Sequence, residues 1–328
     1  MARSKPVKKQ RRNPKRKRRD EGERPPETIG SFFLDSGAHS LFNIYAHNVG
    51  QHERYAFYET DDFWQYVDDY CEFVKANIHA IDYYANVDVI HNPKLSWKVL
   101  KYIEKDHGLN PVPVVHMGTE VKWLRRHLDA GYDYIGLGGV ALEGTRTSYL
   151  HWADQMFECI CDTPDRTPKV KVHGFAMTAY ASLVRYPWYS VDSTSWAKAG
   201  GFGMVYFPKK INGEFVFVPP DPNDWSRVKA YEPYNLSCSA NAPAAKKKGQ
   251  SYLSVSSGAQ KVLAEWLESI DVPIGTVDED CEMLEWGVVS HHAARKIANL
   301  RFFEHLTAAL PDWPWRFKAT SVKGFGLI

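Results

Sequence analysis

The chain has 328 residues, of which 44% are apolar and 24% are charged. These proportions are typical of a globular protein with a large core, and they exclude collagen-like, low-complexity and fully disordered proteins. No segment approaches the roughly 18 consecutive apolar residues of a membrane span, and the basic N-terminus lacks the apolar core of a secretory signal. Five cysteines spread over so long a chain predict a reducing compartment, and therefore a cytoplasmic location.

The formal net charge of +2 conceals an uneven distribution of charge along the chain. Residues 1–24 carry twelve basic and three acidic residues, which leaves 29 basic and 36 acidic residues in the remainder. Residues 1–28 contain four prolines and almost no apolar side chain, so they are predicted to form a disordered basic tail.

The dense Lys and Arg of the tail predict binding to a phosphate backbone without readout of base sequence. The residues expected to make these contacts are Lys8, Lys9, Arg11, Arg12, Lys15, Arg16, Lys17, Arg18 and Arg19. A solubilising tail and a localisation signal have the same pattern, and both interpretations stay open.

Beyond residue 30, short apolar runs alternate with amphipathic helical patterns. The predicted strands are Ser31–Leu34, Ile78–Val89, Pro113–Val115, Tyr134–Leu137, Lys169–Val172 and Trp188–Val191. The predicted helices between them are Asp61–Asn77, Pro93–Lys105, Glu120–Ala130, Ser148–Cys161 and Met177–Arg185. Alternating strands and helices indicate βα units around a parallel sheet, and their repetition favours an α/β fold of the (β/α)8 TIM-like barrel type over residues 29–328.

The last third of the chain predicts additions to this barrel. Met204–Phe207 predicts a strand that forms a hairpin with Ile211–Val218, which contains an Asn-Gly turn. Ser237–Gly249 predicts an exposed loop. Gln260–Ile270 and Ser290–Leu310 predict helices, of which the second covers the end of the barrel.

The C-terminal ends of the predicted strands carry the residues best suited to chemistry. In a parallel barrel these ends meet at one face, where side chains from several strands converge. The residues are Asp35, Asp88, His116, Gly138, Gly139, His173 and Asp192. A pair of carboxylates serves displacement at an anomeric carbon, because one attacks or stabilises the oxocarbenium-like centre while the second handles the proton.

Each of these residues also has a purely structural interpretation. Asp35-Ser36-Gly37 is typical of an Asx turn, and Asp192 is typical of a helix N-cap. Any single histidine is more often a buried residue whose ring nitrogens are hydrogen-bonded within the protein. Asp88 is suited to accept hydrogen bonds from the edge of a guanine, and the glycine pair allows close approach of backbone to a flat ligand. The convergence of several strand ends, more than any one residue, favours a functional site.

The spacing of cysteine and histidine predicts no metal site. Cys159 and Cys161 point to different sides of a predicted helix, Cys238 has no nearby partner, and Cys281 precedes His291 by ten residues. The sequence also contains no HExxH motif and no GxSxG nucleophile elbow.

Short segments at these strand ends resemble the tRNA-guanine transglycosylases. DSGAHS, from Asp35, resembles the DSGGFQ segment after their first barrel strand, and IGLGGV, from Ile135, resembles their glycine-rich substrate loop. VHGFAMT, from Val172, and SVDSTSW, from Ser190, resemble their later strands, the second of which bears the nucleophilic aspartate. Together with VPVVHMG, these segments resemble most closely the phage and bacterial enzymes that insert 7-deazaguanines into DNA, the DpdA family, over about residues 31–203.

The resemblance implies an activity and residue roles. Asp192 would be the nucleophile that attacks C1′ and forms a covalent glycosyl-enzyme intermediate, and Asp35 would be the general acid/base. Asp88 would bind the base edge. The implied substrate pocket would also contain Ser36, His116, Gly138, Gly139 and His173. Guanine in DNA would be exchanged for a preformed 7-deazaguanine such as preQ0, without a cofactor, in a bacterial or phage-infected cell.

DNA and a free 7-deazaguanine base are therefore the expected partners, with tRNA as the alternative. The tRNA enzymes carry a CxCxxC…H zinc site after the nucleophile strand, which this sequence lacks, and His39 stands where they have an aromatic residue. Two further alternatives are a barrel that binds nucleic acid or a modified base without catalysis, and a hydrolase in which water replaces the base.

Overall fold

The computed structural model describes most of the predicted globular part of the chain. The described residues are 31–48, 56–139, 146–220, 228–241, 251–252 and 254–317. The predicted tail, with its nine basic residues named for phosphate contacts, lies outside the described residues, and so do residues 242–249 of the predicted loop.

The described chain is a mixed α/β fold. Its strands are β1 (Phe33–Leu34), β2 (Tyr83–Tyr84), β3 (Val114–His116), β4 (Tyr134–Gly138), β5 (Lys171–Gly174), β6 (Ser190–Val191), β7 (Met204–Phe207), β8 (Lys209–Ile211), β9 (Glu214–Val216), β10 (Tyr234–Ser237), β11 (Thr276–Val277) and β12 (Met283–Glu285). Its helices are α1 (Ala38–Asn48), α2 (Asp61–Asn77), α3 (Pro93–Asp106), α4 (Val121–Asp129), α5 (Arg146–Ile160), α6 (Tyr180–Arg185), α7 (Ser195–Gly201), α8 (Val228–Tyr231), α9 (Ser257–Ser269) and α10 (His292–Ala309). Among these helices none is both long and apolar enough to cross a bilayer.

The helices predicted between the strands form, and two of them begin at a residue whose side chain caps the first turn. The Thr60 side chain accepts a hydrogen bond from the Phe63 amide at 3.4 Å and so caps α2. Asn92 caps α3 in the same way, accepting from the Leu95 amide at 3.0 Å, and Pro93 occupies the first helical position. The five helices predicted between strands are confirmed within three residues of their predicted bounds.

Six parallel strands follow one another in chain order. β1 pairs with β2, and β3, β4, β5 and β6 form a four-stranded sheet in that order. A parallel bridge between Ala85 and Val112 joins the two sheets. The Val112 amide donates to the Tyr84 carbonyl, and the Asn86 amide donates to the Val112 carbonyl, both at 2.8 Å. The predicted βα units around a parallel sheet are therefore confirmed.

The described strands do not by themselves show the predicted eight-stranded barrel. The sheets are small and several strands comprise only two or three residues. In the described part of the chain β6 pairs only with β5, and β7 continues no parallel sheet but pairs antiparallel with β10. What the structure supports is the coarser description of a mixed α/β fold with a run of parallel strands.

The predicted hairpin exists with different strands. The Asn212-Gly213 turn joins β8 to β9, whereas β7 was predicted to be the partner of this segment. Both turn residues have positive φ angles, 52° and 89°, as a two-residue hairpin turn requires, so the turn itself sets the register. Val205 and Phe207 of β7 are buried in the core beside α10. The strand that pairs with β7 is β10.

Two hydrophobic cores support the sheet. The first core lies around β2 and helices α2 and α3 and includes Phe63, Val67 and Ile103, which are fully buried. The second core lies around β4, β5 and the C-terminal helices, and includes Leu137 and Phe157. Asp35 and Asp88 thus follow strands that pack on the first core, whereas Asp192 follows a strand that packs on the second.

A buried ion pair connects α5 to α6. The Nε and one terminal nitrogen of Arg185 each lie 2.7 Å from a different carboxylate oxygen of Asp154, and the Tyr186 hydroxyl donates to the same carboxylate at 2.8 Å. The Arg185 side chain is 1% exposed and the Asp154 side chain 16%. The geometry is that of a two-bond Arg–carboxylate pair removed from water.

We expect Asp154→Ala to lower the free energy of unfolding by about 3–5 kcal/mol, because the change leaves the buried guanidinium without its carboxylate. Chemical denaturation measures the change. Glu304→Ala is the matched control, since Glu304 pairs with Arg301 at 2.8 Å where both side chains are about half exposed, and it should cost less than about 1 kcal/mol. Equal losses in the two variants would contradict a special role for the buried pair.

Candidate active site

The first strand-end motif folds as a tight turn that leads into α1. The Gly37 amide donates to Asp35 Oδ1 at 3.4 Å, and Gly37 has a φ of +72°. A side chain at Gly37 would meet the Tyr66 hydroxyl at 2.7 Å, and this hydroxyl donates to the Ser36 carbonyl at 2.6 Å. The Asx turn considered from the sequence is thus present, and it fixes Asp35 at the end of β1 with its side chain exposed.

An aromatic stack brings the first strand close to the fifth. The ring of Phe33 on β1 lies parallel to the imidazole of His173 on β5, with centroids 4.3 Å apart and planes 11° apart. The same Phe33 ring contacts Tyr134 on β4 edge-on at 5.8 Å. Because Asp35 follows Phe33 by two residues, it lies at the same end of the sheet as the residues that follow β5 and β6.

Asp192 lies at the open end of β6 and is held by two neighbours. Its Oδ1 accepts a hydrogen bond from the Ala176 amide at 3.0 Å and lies 3.3 Å from His173 Nε2. Its side chain is 55% exposed, whereas that of His173 is 4% exposed. The Ala176 amide and His173 therefore hold one oxygen of the carboxylate, while the exposed part of the side chain remains accessible to a ligand. Ala176 adopts a φ of +56°, which turns its amide toward the carboxylate.

A chain of hydrogen bonds leads from the interior of the sheet to Asp192. Tyr134 and Ser190 are joined through their hydroxyls at 2.6 Å, and Ser190 Oγ lies 2.6 Å from His173 Nδ1. Burial raises the pKa of Tyr134 to about 12, so Tyr134 keeps its proton. If Tyr134 donates to Ser190, then Ser190 donates to Nδ1 and the neutral imidazole carries its proton on Nε2, facing Asp192.

The sequence did not predict Tyr134 or Ser190 as members of the site. The parallel register of β5 and β6 places His173 directly opposite Ser190, and this register is not readable from composition or periodicity. His173 was predicted to line the substrate pocket. The structure places it beneath Asp192 with little exposed surface, where it contacts the carboxylate and Ser190.

Asp88 and His116, from two neighbouring strand ends, form a buried pair. His116 Nε2 is hydrogen-bonded to Asp88 Oδ2, and the side chains are 12% and 8% exposed, respectively. Burial alone would lower the pKa of His116, but the charge of Asp88 and the hydrogen bond to it outweigh this effect and raise the pKa. A base edge that binds Asp88 would therefore meet a carboxylate with one oxygen already engaged.

The glycine pair packs against the end of β3. Gly138 ends β4, and its carbonyl accepts a hydrogen bond from the Met117 amide at 2.9 Å. Gly139 has a φ of +87°, and a Cβ atom there would lie 3.0 Å from the Met117 amide nitrogen and 3.1 Å from His116 Nδ1. Gly139 thus allows close packing within the protein at the edge of the site, whereas a Cβ atom at Gly138 would meet its nearest neighbour at 3.6 Å. Ser36, also predicted to line the pocket, is 3% exposed.

The electrostatic environment of Asp35 includes two of the other predicted carboxylates, Asp88 and Asp192. Solvent reaches Asp35, but the surrounding protein removes part of its hydration, which raises its pKa; its hydrogen bond from Gly37 opposes this shift. The charges of Asp88 and Asp192 both raise the pKa of Asp35 further. Carboxylates that repel one another in this way are typical of sites in which one group ionises and another keeps its proton.

A groove with a volume of about 1160 Å³ opens beside Asp192. Its aromatic walls come from the segment before β6, from α7 and from the segment that follows α10, and they include Trp188, Trp196, Trp313 and Trp315. The charged residues that line it are all acidic, Asp192, Glu304 and Asp312. Planar uncharged groups fit such walls well, whereas phosphate groups do not.

Within the described part of the chain, no group of three or more His, Cys, Asp or Glu side chains is arranged to hold a metal ion. The buried cysteines Cys71, Cys161 and Cys238 are free thiols, and burial raises the pKa of each.

The comparison with models of protein families, with curated proteins and with solved structures found no match for this chain.

Proposed function

We propose that this chain is a DNA-guanine transglycosylase, which exchanges guanine in DNA for a 7-deazaguanine base through a covalent intermediate on Asp192. The observation that carries the proposal is the placement of Asp192, half exposed and held by the Ala176 amide and His173, where its charge and that of Asp88 both raise the pKa of Asp35. The motifs DSGAHS and SVDSTSW, which resemble the guanine transglycosylases, contain Asp35 and Asp192, respectively.

We also propose that the parallel strands belong to a (β/α)8 barrel of the type that these enzymes use. Six strands run in chain order with a helix after each of β1 to β6. The stack of Phe33 on His173 supports a sheet that curves back toward its first strand, because side chains of the first and fifth strands meet across its interior.

In the first half of the proposed reaction, an Asp192 oxygen attacks C1′ of the target nucleotide as the bond from C1′ to guanine N9 breaks. Asp35 gives its proton to the departing guanine, so that a neutral base leaves and Asp35 becomes a carboxylate. Its raised pKa supports this acid role, because Asp35 keeps a proton at higher pH than an ordinary aspartate does. The products are a sugar bonded to Asp192 and free guanine.

In the second half, the 7-deazaguanine takes the place of guanine. Asp35 removes the proton from the ring nitrogen of the incoming base, that nitrogen attacks C1′, and the bond from C1′ to Asp192 breaks. One glycosidic bond replaces another, so the sequence of steps needs no external energy source. The groove beside Asp192, with its tryptophan walls and no basic residue among the described residues that line it, is suited to a planar uncharged base on either side of the exchange.

The experiment that tests the function is incubation of the full chain with guanine-containing DNA, single-stranded and duplex, and free preQ0, followed by mass spectrometry of the nucleosides. We expect the deazaguanine nucleoside to appear in the DNA and guanine to be released in equal amount. Unpaired DNA should react faster, because C1′ of a stacked guanine is inaccessible until the nucleotide is flipped out.

Other results of this experiment would identify the alternatives. Guanine release without incorporation would indicate a hydrolase, and incorporation into tRNA but not DNA would indicate the tRNA activity. Neither release nor incorporation on any nucleic acid would leave a binding protein and refute the proposed exchange.

A further inference from the structure

Two neighbouring helices of the globular part carry an excess of positive charge. α3 and α4 contain seven basic residues and three acidic ones, although residues 25–328 as a whole are acidic. The basic residues are Lys94, Lys98, Lys101, Lys105, Lys122, Arg125 and Arg126. We call these residues, with the tryptophans between them, the α3–α4 face.

The cations of the α3–α4 face are stacked on indole rings. The Arg126 guanidinium lies 4.3 Å from the ring centre of Trp97 and 5.4 Å from that of Trp123. Lys101 Nζ lies 4.7 Å from the same Trp97 ring. Stacking holds a guanidinium in place while its N–H groups stay directed outward, which lowers the entropy lost when it binds an anion.

Several of these cations lack an internal counter-charge. Lys101 pairs with Glu104 and Lys122 with Glu120, both at 2.7 Å. By contrast, within the described residues no carboxylate forms an ion pair with five exposed cations of the face. They are Lys94, Lys98, Lys105, Arg125 and Arg126. Unpaired, exposed positive charge on an otherwise acidic surface fits a polyanionic partner.

The α3–α4 face also adjoins the candidate active site. α3 follows the strand end that carries Asp88, and α4 follows the strand end that carries His116. Trp123 on α4 lines the same small cavity as His116. A polyanion on this face would therefore lie on the two helices that follow the strand ends of Asp88 and His116.

We propose that the α3–α4 face binds the phosphate backbone of the nucleic acid substrate, with Arg125, Arg126, Lys94 and Lys98 as the phosphate contacts. Trp97 and Trp123 are half-buried beneath these cations and hold Arg126 at the surface. The proposal deepens the proposed function, since it locates the DNA whose guanine enters the site, and it adds a binding surface to the tail predicted from the sequence.

The test measures binding of a fluorescent single-stranded DNA to the full chain over a series of salt concentrations. We expect Arg125→Gln/Arg126→Gln to weaken binding by about tenfold or more and to reduce the slope of log K against log salt by about 1–2. Lys94→Gln/Lys98→Gln provides a second variant that leaves the stacked arginine in place and should act in the same direction. The matched control, Lys261→Gln/Arg301→Gln, removes two exposed cations from α9 and α10 and should leave the affinity within about twofold.

Unchanged affinity and salt slope in both variants of the α3–α4 face would overturn the proposal. So would equally tight binding to polyglutamate, which would indicate an acidic protein partner. Base exchange is measured separately on the same variants. If the unmodified protein exchanges no base but the variants lose DNA binding, the α3–α4 face is supported and the proposed function is rejected. If the variants exchange base and bind DNA normally, the proposed function is supported and the α3–α4 face is rejected.

Discussion

Asp192→Asn is expected to abolish base exchange, lowering its rate on the order of 10⁴-fold or more, and to abolish any covalent complex with DNA. An asparagine has the same shape and still accepts the hydrogen bond that Ala176 donates at 3.0 Å. Its neutral amide oxygen, however, is a poor nucleophile, so no bond to C1′ forms. The covalent complex is measured as a DNA-dependent band on a denaturing gel.

Asp312→Asn is the matched control for this experiment. Asp312 lines the same groove as Asp192 and undergoes the same chemical change, but it has no part in the proposed reaction. Its exchange rate should stay within a few-fold of the unmodified protein. A covalent complex that persists in Asp192→Asn would place the nucleophile elsewhere and refute the assignment.

Asp35→Asn is expected to lower the exchange rate by about 10²–10⁴-fold, the usual contribution of a general acid/base. Asparagine retains the acceptor for the Gly37 amide, so the turn at the end of β1 persists while the exchangeable proton is lost. The rate is measured as guanine release over a range of pH. Asp62→Asn, on the exposed first turn of α2, is the control and should leave the rate unchanged.

The raised pKa of Asp35 gives this variant a second, independent readout. In the unmodified protein, activity that depends on protonated Asp35 should fall as pH rises through a value above the ordinary aspartate range. A carboxyl whose pKa is raised by folding stabilises the fold below its unfolded pKa and loses that contribution as pH rises through the folded pKa. Asp35→Asn should therefore increase stability relative to the unmodified protein at neutral pH, with the difference vanishing in acid.

A stability difference that is independent of pH would show that folding does not raise the pKa of Asp35. A second check uses Asp88→Asn, which removes one of the charges that raise the Asp35 pKa. The pH at which activity falls should then move to lower values, because Asp35 loses its proton more readily.

Helices between the strands were predictable from the sequence where an apolar face repeats at helical spacing. α2 occupies its predicted bounds, Asp61–Asn77, and begins after the capping residue Thr60. α1 and α7 were not predicted, and two of the seven residues of α7 are glycines, which are poor helix formers. The predicted strand Ile78–Val89 was much too long, because an apolar run does not reveal how much of it pairs, and only Tyr83–Tyr84 forms a strand.

The candidate site was only half predictable for a related reason. Charged residues at strand ends can be found by inspection, and Asp35, Asp88 and Asp192 were identified in this way. Their partners depend on which residues of neighbouring strands stand opposite one another, as Ser190 does with His173. The pairing of β7 with β10 was not predicted for the same reason. The β8–β9 hairpin lies between the two strands in the sequence, so chain order does not indicate that they pair.

The proposed nucleophile and the proposed acid/base are anchored in different hydrophobic cores. Asp35 follows a strand whose Leu34 packs on the first core, and Asp192 follows Val191, which packs on the second. A small relative displacement of the two cores would therefore change the separation of the carboxylates without unfolding either one. A ligand that contacts both carboxylates would fix the distance between them. Substrate binding would then also bring the nucleophile and the acid/base into their reactive positions.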